Sequence, residues 1–237
     1  MGNQLFIMAS IIGIAKKLGY SYAFPRWQNN THINIPLFND TIDDTCTEKK
    51  HGYDAGLIQQ IIHSQGHNIQ INGYLQDYRY FDEYRSLIQS LFNKTPSTYN
   101  NLCAIHIRRG DYVNLSNHYV QLSQTSYYDN AIETILDINN DTQFMIYSDD
   151  INWCINWFNN HKYFNKMCFV TPTNAYNDMI KMSKCQYQII ANSTYSWWAA
   201  YLNQASNKRV IMPKQWFGPM LRHLNIDGYA PNDWIKI

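Results

Sequence analysis

The chain has 237 residues, 45% of them hydrophobic and 16% charged, with a formal net charge of +1. That is enough apolar material for one large domain or two small ones. The near-neutral balance argues against general affinity for nucleic acid or anionic membranes, so any anion site must be local.

From the amino terminus, GNQLF at residues 2–6 reads as a glycine turn feeding a helix over 4–18 that is apolar on nearly every face, hence buried. A helix entered this way in a βα unit expects a strand before it, and none precedes Gly2. Either Met1 is an internal residue of a longer chain or this lobe lacks its first strand. Residues 20–24 read as a strand that stops at Pro25, and 29–50 as a polar, loop-rich stretch broken by Pro36. A helix is expected over 57–63, a strand over 69–73 and a helix over 81–92. Residues 93–101, with Pro96 and several polar side chains, form the expected boundary, which gives two lobes, 1–96 and 97–237. Beyond it strands and helices alternate: strand 102–107, helix 127–136, strand 144–147, helix 151–158, strand 167–170, helix 176–183, strand 187–191, helix 195–202 and strand 209–212. This βαβα order implies an α/β fold with a parallel sheet and right-handed crossovers.

No stretch approaches 18 consecutive apolar residues, so no membrane-spanning helix is expected. No leader pattern opens the chain, which points to a cytoplasmic location, with peripheral attachment to a membrane left open. The five cysteines, at 46, 103, 154, 168 and 185, show no metal-ligand or CxxC spacing and read as reduced thiols. No metal site is expected. The 19 Tyr and 7 Trp suit a carbohydrate-contacting cleft and an ordinary core equally well.

Four segments concentrate polar chemistry at expected strand ends. Arg108 and Arg109 follow strand 102–107 and precede a Gly110-Asp111 turn, where an α/β protein holds anions and where a guanidinium fork matches phosphate. The plain alternative is a strand-end arginine paired with Asp111. Ser148, Asp149 and Asp150 follow strand 144–147; they can accept hydrogen bonds from a base or sugar, or one of the carboxylates can simply cap the next helix. Asn192, Ser193, Thr194 and Ser196 surround a helix start, where hydroxyls and backbone N–H groups form an anion site, or merely an N-cap beside two core tryptophans. Residues 73–80, with Gln76 and Asp77, place polar and aromatic side chains after a strand of the first lobe, as a solvated turn also would.

Together the segments GNQLF (2–6), GYLQDYRYF (73–81), HIRRGDYV (106–113), YSDD (147–150), ANSTYSWWAAYL (191–202) and PKQWFG (213–218) resemble the α-1,2-fucosyltransferases of glycosyltransferase family 11. The resemblance covers nearly the whole chain, most poorly over 29–65. It implies a GT-B architecture of two Rossmann-like lobes with a cleft between them. It also implies an inverting transfer of L-fucose from GDP-L-fucose to the 2-OH of a galactose-terminated acceptor in glycan or polysaccharide synthesis, with no required metal or other cofactor. Arg108 is then expected at the diphosphate, His106 with Asp149 or Asp150 at guanine, and Ser148, Asn192, Ser193, Thr194 and Ser196 around the donor. Asn3 would approach the donor across the cleft. Gln76 and Asp77 would lie toward the acceptor, and Arg109 would hold the turn through an ion pair. No residue announces itself as the general base; Asp111 and Asp77 are the candidates. A transferase using another nucleotide sugar, or a non-catalytic glycan- or nucleotide-binding relative, would carry the same fold. The acceptor, the oligomeric state and the pathway are not encoded in these motifs.

Overall fold

A computed structural model describes residues 1–28 and 32–237. The chain forms two compact units: Met1–Lys94 with Asn225–Pro231, and Thr95–Leu224 with Asn232–Ile237. The division falls at Lys94/Thr95, beside the boundary expected at 96/97. The return of Asn225–Pro231 to the first unit was not foreseen. Among the described residues no helix is long and apolar enough to cross a membrane.

In the first unit, helix α1 (Gly2–Leu18) buries Leu5, Phe6, Met8, Ala9 and Ile12 and ends at Gly19, whose φ of 78° supplies the left-handed cap. Gly13 lets α1 approach the turn at Tyr80–Phe81 closely, since a Cβ there would lie 2.2 Å from the Tyr80 carbonyl oxygen. The strand expected over 20–24 reduces to a single bridge, Phe24 to Leu37. The stretch expected to be loop-rich instead contains strand β1 (Asp44–Thr47); its residues 29–31 lie outside the described residues. β1 pairs in parallel with β2 (Ile69–Asn72). Helix α2 (Ala55–His63) joins them, with Asp54 accepting from the Gly56 N–H at its start. The helix expected over 81–92 is tighter at first: 3₁₀ turns at Tyr78–Tyr80 and Asp82–Tyr84 lead into α3 (Arg85–Phe92). The returning segment packs Tyr229 against Phe6, ring centroids 6.3 Å apart.

The second unit is a parallel six-stranded sheet. Its strands are β3 (Tyr99–Ile107), β4 (Gln143–Ser148), β5 (Met167–Phe169), β6 (Cys185–Ile189), β7 (Arg209–Met212) and β8 (Ile235–Lys236). The linking helices are α4 (Tyr127–Ile138), α5 (Ile151–Phe158), α6 (Ala175–Ser183) and α7 (Thr194–Tyr201). The spatial order is β5-β4-β3-β6-β7-β8, every pair parallel. α4 carries Tyr127, Tyr128, Ala131, Ile132, Ile135 and Leu136 on one buried face, a helical spacing that packs against Ile105, Ile107 and Ile146 of the sheet. Each such aliphatic side chain contributes roughly 1.5–3 kcal/mol by leaving water. β6 is buried along its whole length, as a central parallel strand covered on both faces must be. Its polar side chains are partly paired: the Gln188 amide N–H groups donate to the Met182 and Ala199 carbonyls while its Oε1 is buried without a partner, and Gln186 accepts from the Asn101 N–H. Four of the five cysteines are buried, Cys168 is exposed, and all are free thiols.

Candidate active site

The strand order of the second unit reverses direction between β3 and β6. Successive strands run outward from β3 through β4 to β5, then the chain crosses back to β6 and continues to β8. In an open parallel sheet the carboxyl ends of the strands at such a reversal leave a crevice that the flanking crossover helices do not fill. The segments following β3, β4 and β6 border this place, and they are three of those singled out in the sequence.

Strand alternation sets the first of them. Ile105 and Ile107 point into the core with α4, so His106 points to the opposite face, where its ring lies 5.2 Å from that of Tyr195 on α7. His106 is buried and its Nδ1 has no hydrogen-bond partner. Burial, assisted by the Arg108 charge, pushes its pKa down to about 3, so the imidazole is neutral at physiological pH. Its backbone carbonyl is held by the Tyr128 hydroxyl at 3.0 Å.

Arg108 emerges at the end of β3 with its side chain 31% exposed. One guanidinium nitrogen donates to Asp149 Oδ2 at 2.5 Å, and the other donates to Asp111. The second oxygen of Asp149 accepts from the Arg109 backbone N–H at 2.9 Å. Asp149 therefore ties the β4 end to the β3 end and aims Arg108. The turn comes so close that a Cβ on Gly110 would sit 2.4 Å from Asp149 Oδ2, which accounts for glycine there. Arg109 goes elsewhere: its guanidinium lies 3.6 Å from the centre of the Trp153 ring on α5, and its Nε is 3.5 Å from Asp150. Asp150 also caps α5 through the Trp153 N–H, and Ser148 Oγ accepts from the Asp150 N–H at 3.0 Å. Trp153 is the contributor that the sequence reading missed; its signal was an aromatic one turn into the helix after two carboxylates.

At the β6 end, Ser193 caps α7 by accepting from the Tyr195 N–H. Thr194 opens that helix and is half-buried. Ser196, expected at the donor, is fully buried and donates to the Ala191 and Ser193 carbonyls. Asn192, expected there too, uses its amide N–H groups on the Val120 and Trp216 carbonyls, at 3.0 and 2.8 Å. Both therefore shape the loop rather than face solvent. The Asn192 carbonyl accepts from Tyr112 Oη at 3.2 Å, which connects the β3 turn to the β6 end, and Tyr112 stacks on Tyr119 with ring centroids 4.0 Å apart.

In the first unit, Asn3 is exposed in the first turn of α1. Gln76 accepts a hydrogen bond from the Tyr229 hydroxyl. Asp77, expected toward an acceptor and as a candidate base, is fully enclosed. Its oxygens take the Arg79 N–H, Nε and a terminal guanidinium nitrogen at 3.0, 2.8 and 2.5 Å, so here it anchors Arg79. Asp111, the other candidate base, is 60% exposed at the Arg108 turn. Among the described residues no three His, Cys, Asp or Glu side chains converge as metal ligands.

The sequence profile of the family described as Glycosyl transferase family 11 matches residues 67–237. The chain is 34% identical over 166 residues to an O-antigen biosynthesis glycosyltransferase, WbnK, of Escherichia coli, covering 61% of this chain and 54% of that protein. It is 32% identical over 190 residues to an alpha-1,2-colitosyltransferase of the same species, covering 72% and 63%. A galactoside 2-alpha-L-fucosyltransferase, SEC1, of Bos taurus is 23% identical over 230 residues, covering 85% and 62%. The chain thus spans between about half and two thirds of the length of each of these relatives. The profile match takes in the whole parallel sheet and every strand end described above, and on that ground the chain belongs to glycosyl transferase family 11.

Proposed function

We propose that this protein is an inverting glycosyltransferase that moves L-fucose from GDP-L-fucose to the 2-OH of a terminal galactose. The observation that carries the reading is the part-exposed Arg108 guanidinium at the β3–β6 reversal, oriented by two carboxylates. A fixed cation at that position suits a diphosphate leaving group. As the C1–O bond to phosphate breaks and the sugar gains positive character, negative charge builds on the diphosphate, and a preorganised donor stabilises it. The start of α7 at Ser193 and Thr194 adds N–H groups to the same anion. Neutral His106 offers a buried ring nitrogen without a partner to the nucleotide side. Asp150, 44% exposed, retains acceptor capacity for the adjacent N1–H and N2–H₂ donors of guanine.

The new bond forms between the acceptor 2-oxygen and C1 on the face opposite the leaving group. The acceptor proton passes late to Asp111 or to a leaving phosphate oxygen, since a dissociative transition state makes a strong base less necessary. None of these steps needs a metal ion, so activity should survive a chelator.

Similarity to a colitosyltransferase favours a second donor, the GDP-sugar of colitose, which lacks the C3 hydroxyl of fucose. A site that hydrogen-bonds that hydroxyl would reject the deoxy sugar strongly. Incubation with GDP-fucose, GDP-colitose and a UDP-sugar, with galactosides as acceptors, decides. Transfer from GDP-fucose supports the proposal. Transfer from GDP-colitose alone transfers the assignment to that donor. Absence of GDP binding by calorimetry at millimolar ligand ends it.

A further inference from the structure

Two parts of the sequence have no place in the proposed reaction: Tyr112, just beyond the arginine pair, and the segment 213–218. In the second unit they meet. Tyr112 lies in the 3₁₀ turn Gly110–Asn114 after β3 and is half-buried. Its hydroxyl donates to the Asn192 carbonyl at 3.2 Å, so it holds the peptide group that leads into the Ser193 cap of α7. Its ring stacks on Tyr119, 8° from parallel. The Arg108 guanidinium carbon lies over the Tyr112 ring, 5.4 Å from its centre.

Tyr119 is itself fixed. It bridges Phe217 in an antiparallel sense. Beside that bridge the Gly218 N–H donates to the His118 carbonyl at 2.7 Å, and the Met220 N–H to the Asn117 carbonyl at 2.9 Å. The two backbones run so close that a Cβ on Gly218 would lie 2.6 Å from the Ser116 carbonyl oxygen. Gln121 ties the two tyrosines together, its Nε2 donating to the Tyr112 carbonyl at 2.7 Å and to the Tyr119 carbonyl at 3.3 Å. The Asn192 amide closes the circuit through the Val120 and Trp216 carbonyls. Tyr112 therefore has a fixed support, and its contacts reach segments that follow β3 and β6, braced by the one that follows β7. A phenylalanine would fill the same space; the hydroxyl adds the link to the β6 end.

We propose that Tyr112 is a positioning residue: it sets the Arg108 guanidinium and the start of α7 at the separation at which both meet one diphosphate. The inference rests on the proposed donor reading and adds a residue to it. The two carboxylates tie Arg108 to the β3 and β4 ends, and Tyr112 ties it to the β6 end. Charge building on a departing diphosphate is best stabilised by donors already in place, because moving them during the reaction costs free energy. Loss of the link should therefore lower kcat more than it weakens GDP in the ground state.

The test measures kcat, KM for GDP-fucose and GDP affinity for the wild-type protein and for Tyr112→Phe, which keeps the stack and removes the hydroxyl. A fall in kcat of about tenfold is expected, the equivalent of one net hydrogen bond, with GDP affinity weakened by no more than about threefold. Thermal denaturation separates this from a structural role, which would lower the midpoint and leave kcat per folded molecule at the wild-type value. The same substitution made in Arg108→Ala has no cation left to align, so its effect on kcat should shrink to below about twofold. An unchanged kcat in Tyr112→Phe, while the wild type binds GDP and transfers, would overturn the positioning role alone, as would an equal fall in both backgrounds. A wild-type protein that does not bind GDP would overturn the donor reading and this inference with it.

Discussion

Two arginine–aspartate arrangements follow strands in this protein, one in each unit, and they are built for opposite ends. After β2, Asp77 is wholly enclosed and grips the backbone and side chain of Arg79 with three hydrogen bonds. After β3, Arg108 is held between two carboxylates that are 29% and 60% exposed. A buried carboxylate fixed at short range is an anchor, because its pairing cannot be broken without leaving a buried charge uncompensated. A cation held by exposed carboxylates can release one of them when a stronger anion arrives, since exposed ion pairs are worth little. The same residue types thus serve structure in one place and ligand binding in the other, and exposure separates the two.

The largest effect should come from the exposed arrangement. Arg108→Ala is expected to lower transfer by about 10²–10³ while leaving the denaturation midpoint nearly unchanged; retained turnover would remove Arg108 from the leaving group. Asp77→Ala should do the reverse. It strips three hydrogen bonds from a charged, part-exposed arginine, and a loss of about 2–3 kcal/mol of stability is expected in urea titration. An unchanged midpoint would mean that Asp77 is not an anchor.

His106 sharpens the contrast through pH. Its folded pKa is about 3, against about 6.5 in an unfolded chain. Above pH 6.5 both states are neutral and the stability is fully present. As pH falls toward 3 the unfolded chain binds a proton that the folded one refuses, and stability is lost at about 1.4 kcal/mol per pH unit. His106→Gln should flatten that decline, so its stability deficit should shrink between pH 7 and pH 5; parallel pH profiles would contradict the burial argument. The smallest effect belongs to Trp153→Leu, which removes the stacking surface under Arg109. A cost of about 0.5–1 kcal/mol is expected, with a modest rise in KM for the donor and little change in kcat.

Legibility in the sequence followed packing. In the second unit, apolar runs bounded by polar turns marked seven β and α elements between 144 and 212, because strands buried on both faces leave continuous hydrophobic runs. β1 was missed because only Cys46 of its four residues is buried, so no apolar alternation marks it. β8 was missed because two residues carry no period at all. At the site, the arginine pair and the following carboxylates were legible as chemistry. Separate roles for Arg108 and Arg109 came from the family resemblance; nothing local says that Asp149 aims Arg108, or that Arg109, paired with Asp150, also stacks on Trp153.

By itself, the sequence determined the class of fold, the strand ends that carry charge and the family, since each rests on local patterns a few residues long. The tertiary structure alone decided which of those residues are accessible. Ser196 and Asn192 turned inward to hold the loop, Asp77 was enclosed, and Arg108 was left facing solvent. Accessibility depends on what distant segments cover, such as Val120 and Trp216 over Asn192.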